Sequence, residues 1–186
     1  MALHRVSTLM LLTTMLAATG CAYSTRPLSD AKTSIPDLRL LGTWELSDPD
    51  KPADKKMVVV DRKRDESNVL RMFDIQEKKT LDVFLTKIGD TRVASIADEE
   101  NGKTKFLICK YELSDESSLT IWGLDQEFFA SAVEEKRLNG KKTQNGLFSD
   151  LTIDETPERL RKFFEEETSK CFSHEKPLVV RRMNSQ

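Results

Sequence analysis

Histidine and cysteine, the residues most often used in metal sites and in nucleophilic catalysis, are scarce in this chain. The sequence contains two histidines and three cysteines, and His4 lies in a segment that we expect to be removed. His174 follows Cys171 by three positions, which is half of a zinc site, but the sequence offers no second pair of ligands. One histidine also makes a Ser–His or Cys–His nucleophile improbable. We therefore predict no catalytic residue, no metal site and no cofactor.

Carboxylates are the remaining source of catalytic groups. The chain has 31 Asp and Glu residues, so a hydrolase that uses a pair of acids stays open as an alternative. The sequence has no Gly-x-Ser-x-Gly elbow and no glycine-rich phosphate loop. Its formal charge of −2 differs from the strongly basic balance of nucleic-acid-binding domains. These patterns favour a non-enzymatic protein that does not bind nucleic acid.

Cys109 and Cys171 form an even pair once Cys21 is set aside. In an oxidising compartment such a pair predicts a disulfide. The bridge would close a loop of about 60 residues and stabilise the fold by about 4 kcal/mol in the chain-entropy model. Two buried free thiols are the alternative, because cysteine is commonly buried as a small apolar residue.

The first 20 residues have the pattern of an export signal. Arg5 supplies a positive charge, residues 6–18 are uncharged and mainly apolar, and small residues precede Cys21. A helix of that length reaches about 20 Å, which is shorter than a bilayer core of about 30 Å. We predict a cleaved signal peptide over residues 1–20 and no transmembrane anchor.

The end of this segment, Thr19-Gly20-Cys21, resembles the lipobox of bacterial lipoproteins. The resemblance implies that Cys21 becomes the first residue and carries several acyl chains, which together anchor a protein stably to a membrane. The next residue is Ala22 rather than Asp, which by analogy with that family favours the periplasmic side of the outer membrane. An ordinary secretory signal, with Cys21 left as a free thiol, is the alternative.

Residues 21–37 are rich in Ser, Thr and Pro and show almost no apolar periodicity. This composition predicts a flexible tether between the lipid and the folded domain. An N-terminal strand of the domain is the alternative.

Alternating apolar and polar residues predict about nine strands from residue 40 onward. These strands cover residues 40–46, 57–61, 68–76, 81–88, 91–97, 105–113, 118–124, 147–153 and 178–182. Asp125 and Thr156 are predicted to cap two helices, one over residues 125–138 and one from residue 156. The short turns between strands predict a mostly β, α+β fold: an antiparallel up-and-down meander that forms a barrel or a strongly bent sheet.

Gly42-Thr43-Trp44, on the first of these strands, resembles the Gly-x-Trp signature of lipocalins. The resemblance implies a single lipocalin-like β-barrel domain over residues 38–186. It also implies that Trp44 lies on the barrel floor, against a late arginine such as Arg181 or Arg182. The second helix and the closing strand resemble those of small bacterial lipoproteins of unassigned function.

Two functional hypotheses follow. The first is a lipid-anchored envelope protein that binds a small apolar or amphipathic ligand, or an envelope component, in a barrel mouth formed by loops 47–55, 89–91 and 114–118. The second is a structural or protein-interaction lipoprotein that contacts its partner through the helix over residues 125–138. In that case the barrel would be filled by the large aromatic side chains of Trp44, Phe73, Phe84 and Phe106. The space inside the barrel distinguishes the two hypotheses.

Overall fold

A computed structural model describes residues 22–48, 51–100, 102–145, 148–175 and 177–183. The signal segment and Cys21 lie outside the described residues. The described chain forms the strands β1 (Ala22–Ser24), β2 (Gly42–Asp48), β3 (Lys51–Arg62), β4 (Leu70–Asp74), β5 (Lys79–Ile88), β6 (Thr91–Glu100), β7 (Lys103–Leu113), β8 (Ser118–Gly123), β9 (Gly140–Asn145), β10 (Phe148–Ile153) and β11 (Leu178–Arg182). Its helices are α1 (Gln126–Glu134), α2 (Pro157–Glu167) and a short 3-10 helix, Leu38–Leu40.

Eight of the described strands close into an antiparallel barrel. Strands β2 to β8 pair in chain order, and β11 lies between β8 and β2 and completes the ring. The predicted fold class, mostly β with two helices, is therefore confirmed, and the barrel form is confirmed over the open bent sheet. Closure pairs the edges that an open sheet would expose.

A second layer covers one side of the barrel. Strand β1 pairs with β7 and with β10, and β10 pairs with β9, so the sheet branches outward from the barrel wall. Helices α1 and α2 pack their apolar faces against this branch and form a second core, in which Phe129, Leu160 and Phe164 are fully buried. The predicted caps are confirmed: the side chain of Asp125 accepts from Phe128 N, and Thr156 precedes Pro157 at the start of α2.

The predicted flexible tether is wrong for residues 22–37, and the alternative of an N-terminal strand holds at their start. Ala22 to Ser24 form strand β1, in register with Leu151 to Ile153 of β10. Ala22 and Tyr23 are buried. The folded domain therefore begins directly after Cys21 instead of at residue 38.

The remainder of this segment, residues 25–37, is a strap across the outside of β5 and β6. Its serines supply the hydrogen bonds that hold it there: Ser29 Oγ lies 2.8 Å from Thr86 Oγ1, and Ser34 Oγ accepts from Leu85 N at 2.8 Å. These serines and Thr86 are buried. Buried hydroxyl groups need such partners, which explains how a polar segment packs against the barrel.

The predicted disulfide between Cys109 and Cys171 is wrong, because both thiols are free and buried in the described structure. Successive side chains of a strand point to opposite faces. On β7, Cys109 points into the barrel, whereas its neighbour Ile108 points into the second core. Cys171 lies in that second core, so the barrel wall separates the two thiols.

We expect Cys109 and Cys171 to be unreactive in the native protein. Burial raises the pKa of each thiol to about 12, and the charges of Glu167 and Asp125 add to the shift at Cys171. A thiol reagent should modify both residues only after unfolding, and a reductant should leave the unfolding midpoint unchanged. A midpoint that falls markedly in reductant would contradict this prediction, since a native bridge is worth about 4 kcal/mol.

Candidate functional site

The barrel encloses an apolar cavity with a volume of about 80 Å³. Inward-facing residues of the barrel strands, together with Leu40 of the 3-10 helix, form its walls. They are Leu40, Trp44, Leu46, Val58, Val60, Leu70, Met72, Val83, Ala94, Ile96, Leu107, Cys109, Tyr111, Leu119, Ile121, Leu178 and Val180. The cavity is smaller than the pockets of about 300 Å³ or more that hold drug-sized ligands. Its space admits only the last few carbon atoms of an apolar chain, since it is about half that of the engineered cavity of about 150 Å³ that binds benzene.

Trp44 closes one end of this cavity together with Arg182. The guanidinium of Arg182 lies 4.4 Å from the centre of the Trp44 ring, a cation–π distance. Arg182 also donates to three main-chain carbonyls, of Leu41 and Glu116 at 2.6 Å and of Arg39. Arg182 therefore joins the C-terminal strand, the 3-10 helix and the loop after β7. Arg181, the other predicted arginine, is exposed.

Gly42 is the residue that admits Arg182 to this position. Its φ is +128°, a conformation that side-chain-bearing residues rarely adopt, and a Cβ at this position would lie 3.0 Å from a guanidinium nitrogen of Arg182. Two residues later, Trp44 Nε1 donates to Leu40 O at 2.8 Å and fixes the indole ring over the cavity. The Gly-x-Trp spacing therefore places Arg182 and the Trp44 ring together at the end of the barrel that they close.

The predicted barrel mouth combined loops from both ends of the barrel. Because the strands alternate in direction, loops 63–69, 89–90 and 114–117 lie at the end where β2 begins, which we call the Trp44 end. The β2–β3 connection lies at the opposite end, with loop 75–78 and the β6–β7 connection at Gly102, and we call this end the Asp98 end. Loop 47–55 therefore cannot share a mouth with loops 89–91 and 114–118.

Charged side chains occupy inward-facing positions at the Asp98 end. Lys79 forms an ion pair with Asp98, whose side chain is 2% exposed, and Lys56 forms ion pairs with Asp74 and Glu77. Lys56, Asp74, Lys79 and Asp98 continue the inward alternation of β3 to β6 beyond the cavity walls. Opening this end would separate partly buried ion pairs, which is costly when one charge is left without its partner.

A polar cleft of about 270 Å³ lies outside the barrel near the Trp44 end. Residues 35–39, strand β5 and Tyr111 contribute to it, and its charged residues are Asp37, Arg39, Lys87 and Arg92. Asp37 accepts from Arg39 Nε at 2.8 Å and lies 3.5 Å from the hydroxyl of Tyr111. The hydrogen bond from Arg39 lowers the pKa of Asp37 against the effect of burial, and burial raises the pKa of Tyr111.

Large aromatic residues do not fill the barrel as the second hypothesis expected. Of the four aromatic residues predicted to fill it, Trp44 alone lines the cavity of the described structure. Phe84 and Phe106 contact each other edge to face at 6.1 Å, and both lie on positions that alternate with the cavity wall. Phe73 is 38% exposed on the outer face of β4. The interior is therefore mainly aliphatic.

The helix suggested as a partner surface is also part of the packed structure. Phe129 and Ala132 of α1 are fully buried in the second core, and Phe128 packs against Phe163 of α2. The apolar face of α1 is thus covered by the protein itself.

His174 is exposed, and its Nε2 lies 3.3 Å from Ser169 O. In the described part of the chain, no group of three or more His, Cys, Asp or Glu side chains is placed to hold a metal ion. None of the described helices is long and apolar enough to cross a membrane.

The chain matches no protein-family model, no curated protein and no solved structure.

Neither the inward-facing charged groups at the Asp98 end nor the polar cleft near the Trp44 end was predicted from the sequence. The doublets Lys55-Lys56 and Lys78-Lys79 look like solvated turn residues, but Lys56 and Lys79 face inward. The alternation itself was the signal: each lies an even number of positions before a cavity-lining residue, Val58 and Val83. The polar cleft had no comparable signal, because its residues come from distant parts of the chain.

We expect Arg182→Ala to destabilise the fold by about 2–4 kcal/mol, since it removes a cation–π contact and charged hydrogen bonds to three carbonyls. Arg181→Ala is the matched control, and it should change the free energy of unfolding by less than about 0.5 kcal/mol because Arg181 is exposed. Denaturant unfolding of both variants measures the difference. Equal effects would show that Arg182 does not close the barrel.

Proposed function

We propose that this protein is a lipid-anchored, non-enzymatic lipoprotein of the bacterial cell envelope that binds a small apolar or amphipathic ligand inside its barrel. The observation that supports the proposal is the interior cavity, whose walls are apolar except for the Tyr111 hydroxyl and the Cys109 thiol. Apolar cavities of this kind stay dry and accept apolar guests. The outer membrane, on its periplasmic side, is the proposed location.

The proposed lipid anchor is inferred from Thr19-Gly20-Cys21, and the fold determines how far from the membrane such an anchor would hold the barrel. Ala22 is already part of β1 and is buried. A lipidated Cys21 would therefore hold the barrel directly at the membrane surface, without the reach of about 20 Å that a flexible tether of this length gives.

Metabolic labelling with an alkyne fatty acid tests the anchor. We expect the wild-type protein to be labelled and to fractionate with the outer membrane, and Cys21→Ser to lose the label. Cys109→Ser is the control, because Cys109 is buried inside the barrel and its replacement should leave the label in place. Equal labelling of wild type and Cys21→Ser would rule out lipidation at this residue.

A filled, structural barrel is the second candidate function, and the small volume of the cavity favours it. A cavity of about 80 Å³ is smaller than the engineered cavity of about 150 Å³ that binds benzene. In this case the aliphatic interior would serve stability alone, and the outer surface would contact a partner protein of the envelope.

Titration with n-octanol distinguishes the two functions. We expect saturable chemical-shift changes at the interior methyl groups of Val83, Ala94 and Ile96. Ala94→Leu should weaken binding at least tenfold by filling the cavity. Ala97→Leu is the control on the same strand, because residue 97 alternates with the cavity-lining positions. Wild-type spectra without interior shifts would favour the structural barrel.

A further inference from the structure

The polar cleft at the Trp44 end holds like charges side by side. Lys87 of β5 and Arg92 of β6 are directly opposite each other in the barrel wall. Like charges at such positions repel and destabilise the pairing of the strands. Arg39 adds a third cation to the cleft, and Asp37 is the carboxylate that faces them. Lys87 also has Asp90 at 3.9 Å, but that carboxylate is fully exposed in the turn between β5 and β6. An anion bound in the cleft would relieve this repulsion.

The two arginines differ in their availability to such an anion. Arg39 is held by Asp37 through two hydrogen bonds, of 2.8 and 2.6 Å. Arg92 Nε lies 3.7 Å from Asp37 Oδ2, beyond hydrogen-bond distance, and its side chain is 43% exposed. The guanidinium of Arg92 is therefore partly accessible to solvent, and a guanidinium can bind a carboxylate or a phosphate through two parallel hydrogen bonds.

Tyr111 lies between this cleft and the barrel interior. Its side chain lines the apolar cavity and also lines the cleft, where its hydroxyl approaches Asp37. Leu40, at the end of the 3-10 helix, lines the cavity, and Leu38 and Arg39 of the same helix line the cleft. An apolar chain in the cavity would thus have its polar end beside the cleft if it entered next to Tyr111.

Other routes into the cavity are obstructed in the described structure. Arg182 lies over the Trp44 ring at the Trp44 end. The Asp98 end carries the ion pairs of Lys79 with Asp98 and of Lys56 with Asp74, and an apolar chain passing them would have to disrupt partly buried charges.

We propose that the cleft formed by Arg39, Lys87 and Arg92 binds the anionic headgroup of a short-chain amphiphile whose apolar chain extends past Tyr111, so that its last carbon atoms occupy the barrel cavity. This inference rests on the proposed ligand-binding function and specifies its ligand. The headgroup is a carboxylate or a phosphate, since both present paired oxygens to a guanidinium.

Calorimetric titration of the purified protein with octanoate, octyl phosphate and n-octanol tests the proposal. The three probes share one apolar chain and differ in the headgroup. We expect octanoate, octyl phosphate or both to bind at least tenfold more tightly than n-octanol, and the tighter of the two anions identifies the headgroup. The preference should weaken as ionic strength rises, because the cleft is open to solvent.

Arg92→Gln should remove the tenfold preference and leave the affinity for n-octanol unchanged. Arg181→Gln is the matched control, because Arg181 is an exposed arginine on β11, across the barrel from β5 and β6. The unfolding midpoint of Arg92→Gln should stay close to that of wild type, because the substitution removes both the repulsion from Lys87 and the attraction to Asp37, whose Oδ2 lies 3.7 Å from Arg92 Nε. This result would show that any loss of affinity does not come from unfolding.

The outcomes separate this inference from the proposed function. Equal binding of all three probes, or a preference that survives Arg92→Gln, would overturn the headgroup site while the ligand-binding barrel stands. Failure of all three probes to bind would overturn both.

Discussion

Strand β7 sends alternate side chains into two hydrophobic cores, and the arrangement of the molecule depends on this double burial. Leu107, Cys109 and Tyr111 face the barrel interior, whereas Phe106 and Ile108 face outward, Ile108 into the core under the helices. A strand buried on both faces loses the clear alternation of a half-exposed strand and becomes a nearly continuous apolar run. The same geometry places the two buried thiols on opposite sides of one wall. A pair of cysteines that looks suitable for a disulfide by count therefore serves two separate cores.

Closure of the barrel depends on the last described strand. β11 inserts between β8 and β2, and its final residue, Arg182, reaches over Trp44 and holds the carbonyls around the 3-10 helix. The pairing of β11 with β2 and the contact of Arg182 with Trp44 thus join residues that are separated by most of the chain. Contacts of such long sequence separation are slow to form during folding, because the entropy of loop closure must be overcome before they contribute. We infer that the interior cavity is completed only when β11 docks.

The barrel was predictable from the sequence because alternation is a local signal, and β4 and β5 each show it over several residues. The caps Asp125 and Thr156 are local as well. Strand β1 has three residues, which are too few to show an alternation. Strand β9 is a polar edge strand that contains Lys141 and Lys142, so it lacks the apolar residues that would mark it as a strand. The strap was wrongly predicted to be a flexible tether because its serines form hydrogen bonds with buried groups of the barrel wall. Composition alone cannot distinguish a buried hydroxyl from a solvated one. The cleft depends on register, which places Lys87 opposite Arg92, and register is fixed by pairing across the whole sheet.

The strap also determines how the cleft is presented if Cys21 is lipidated as we propose. The chain runs from Ala22 in β1 through the buried Ser29 and Ser34 to Asp37 and Arg39 in the cleft, and hydrogen bonds hold it to β5 and β6 along the way. The distance between an anchor at one end of this ordered segment and the cleft at its other end would therefore be fixed. A flexible tether would allow the barrel to rotate and present any face to the bilayer. With the strap docked, orientation would depend on rotation about the short link at Cys21, so exchange of an amphiphile with the membrane would be controlled by how the whole barrel tilts.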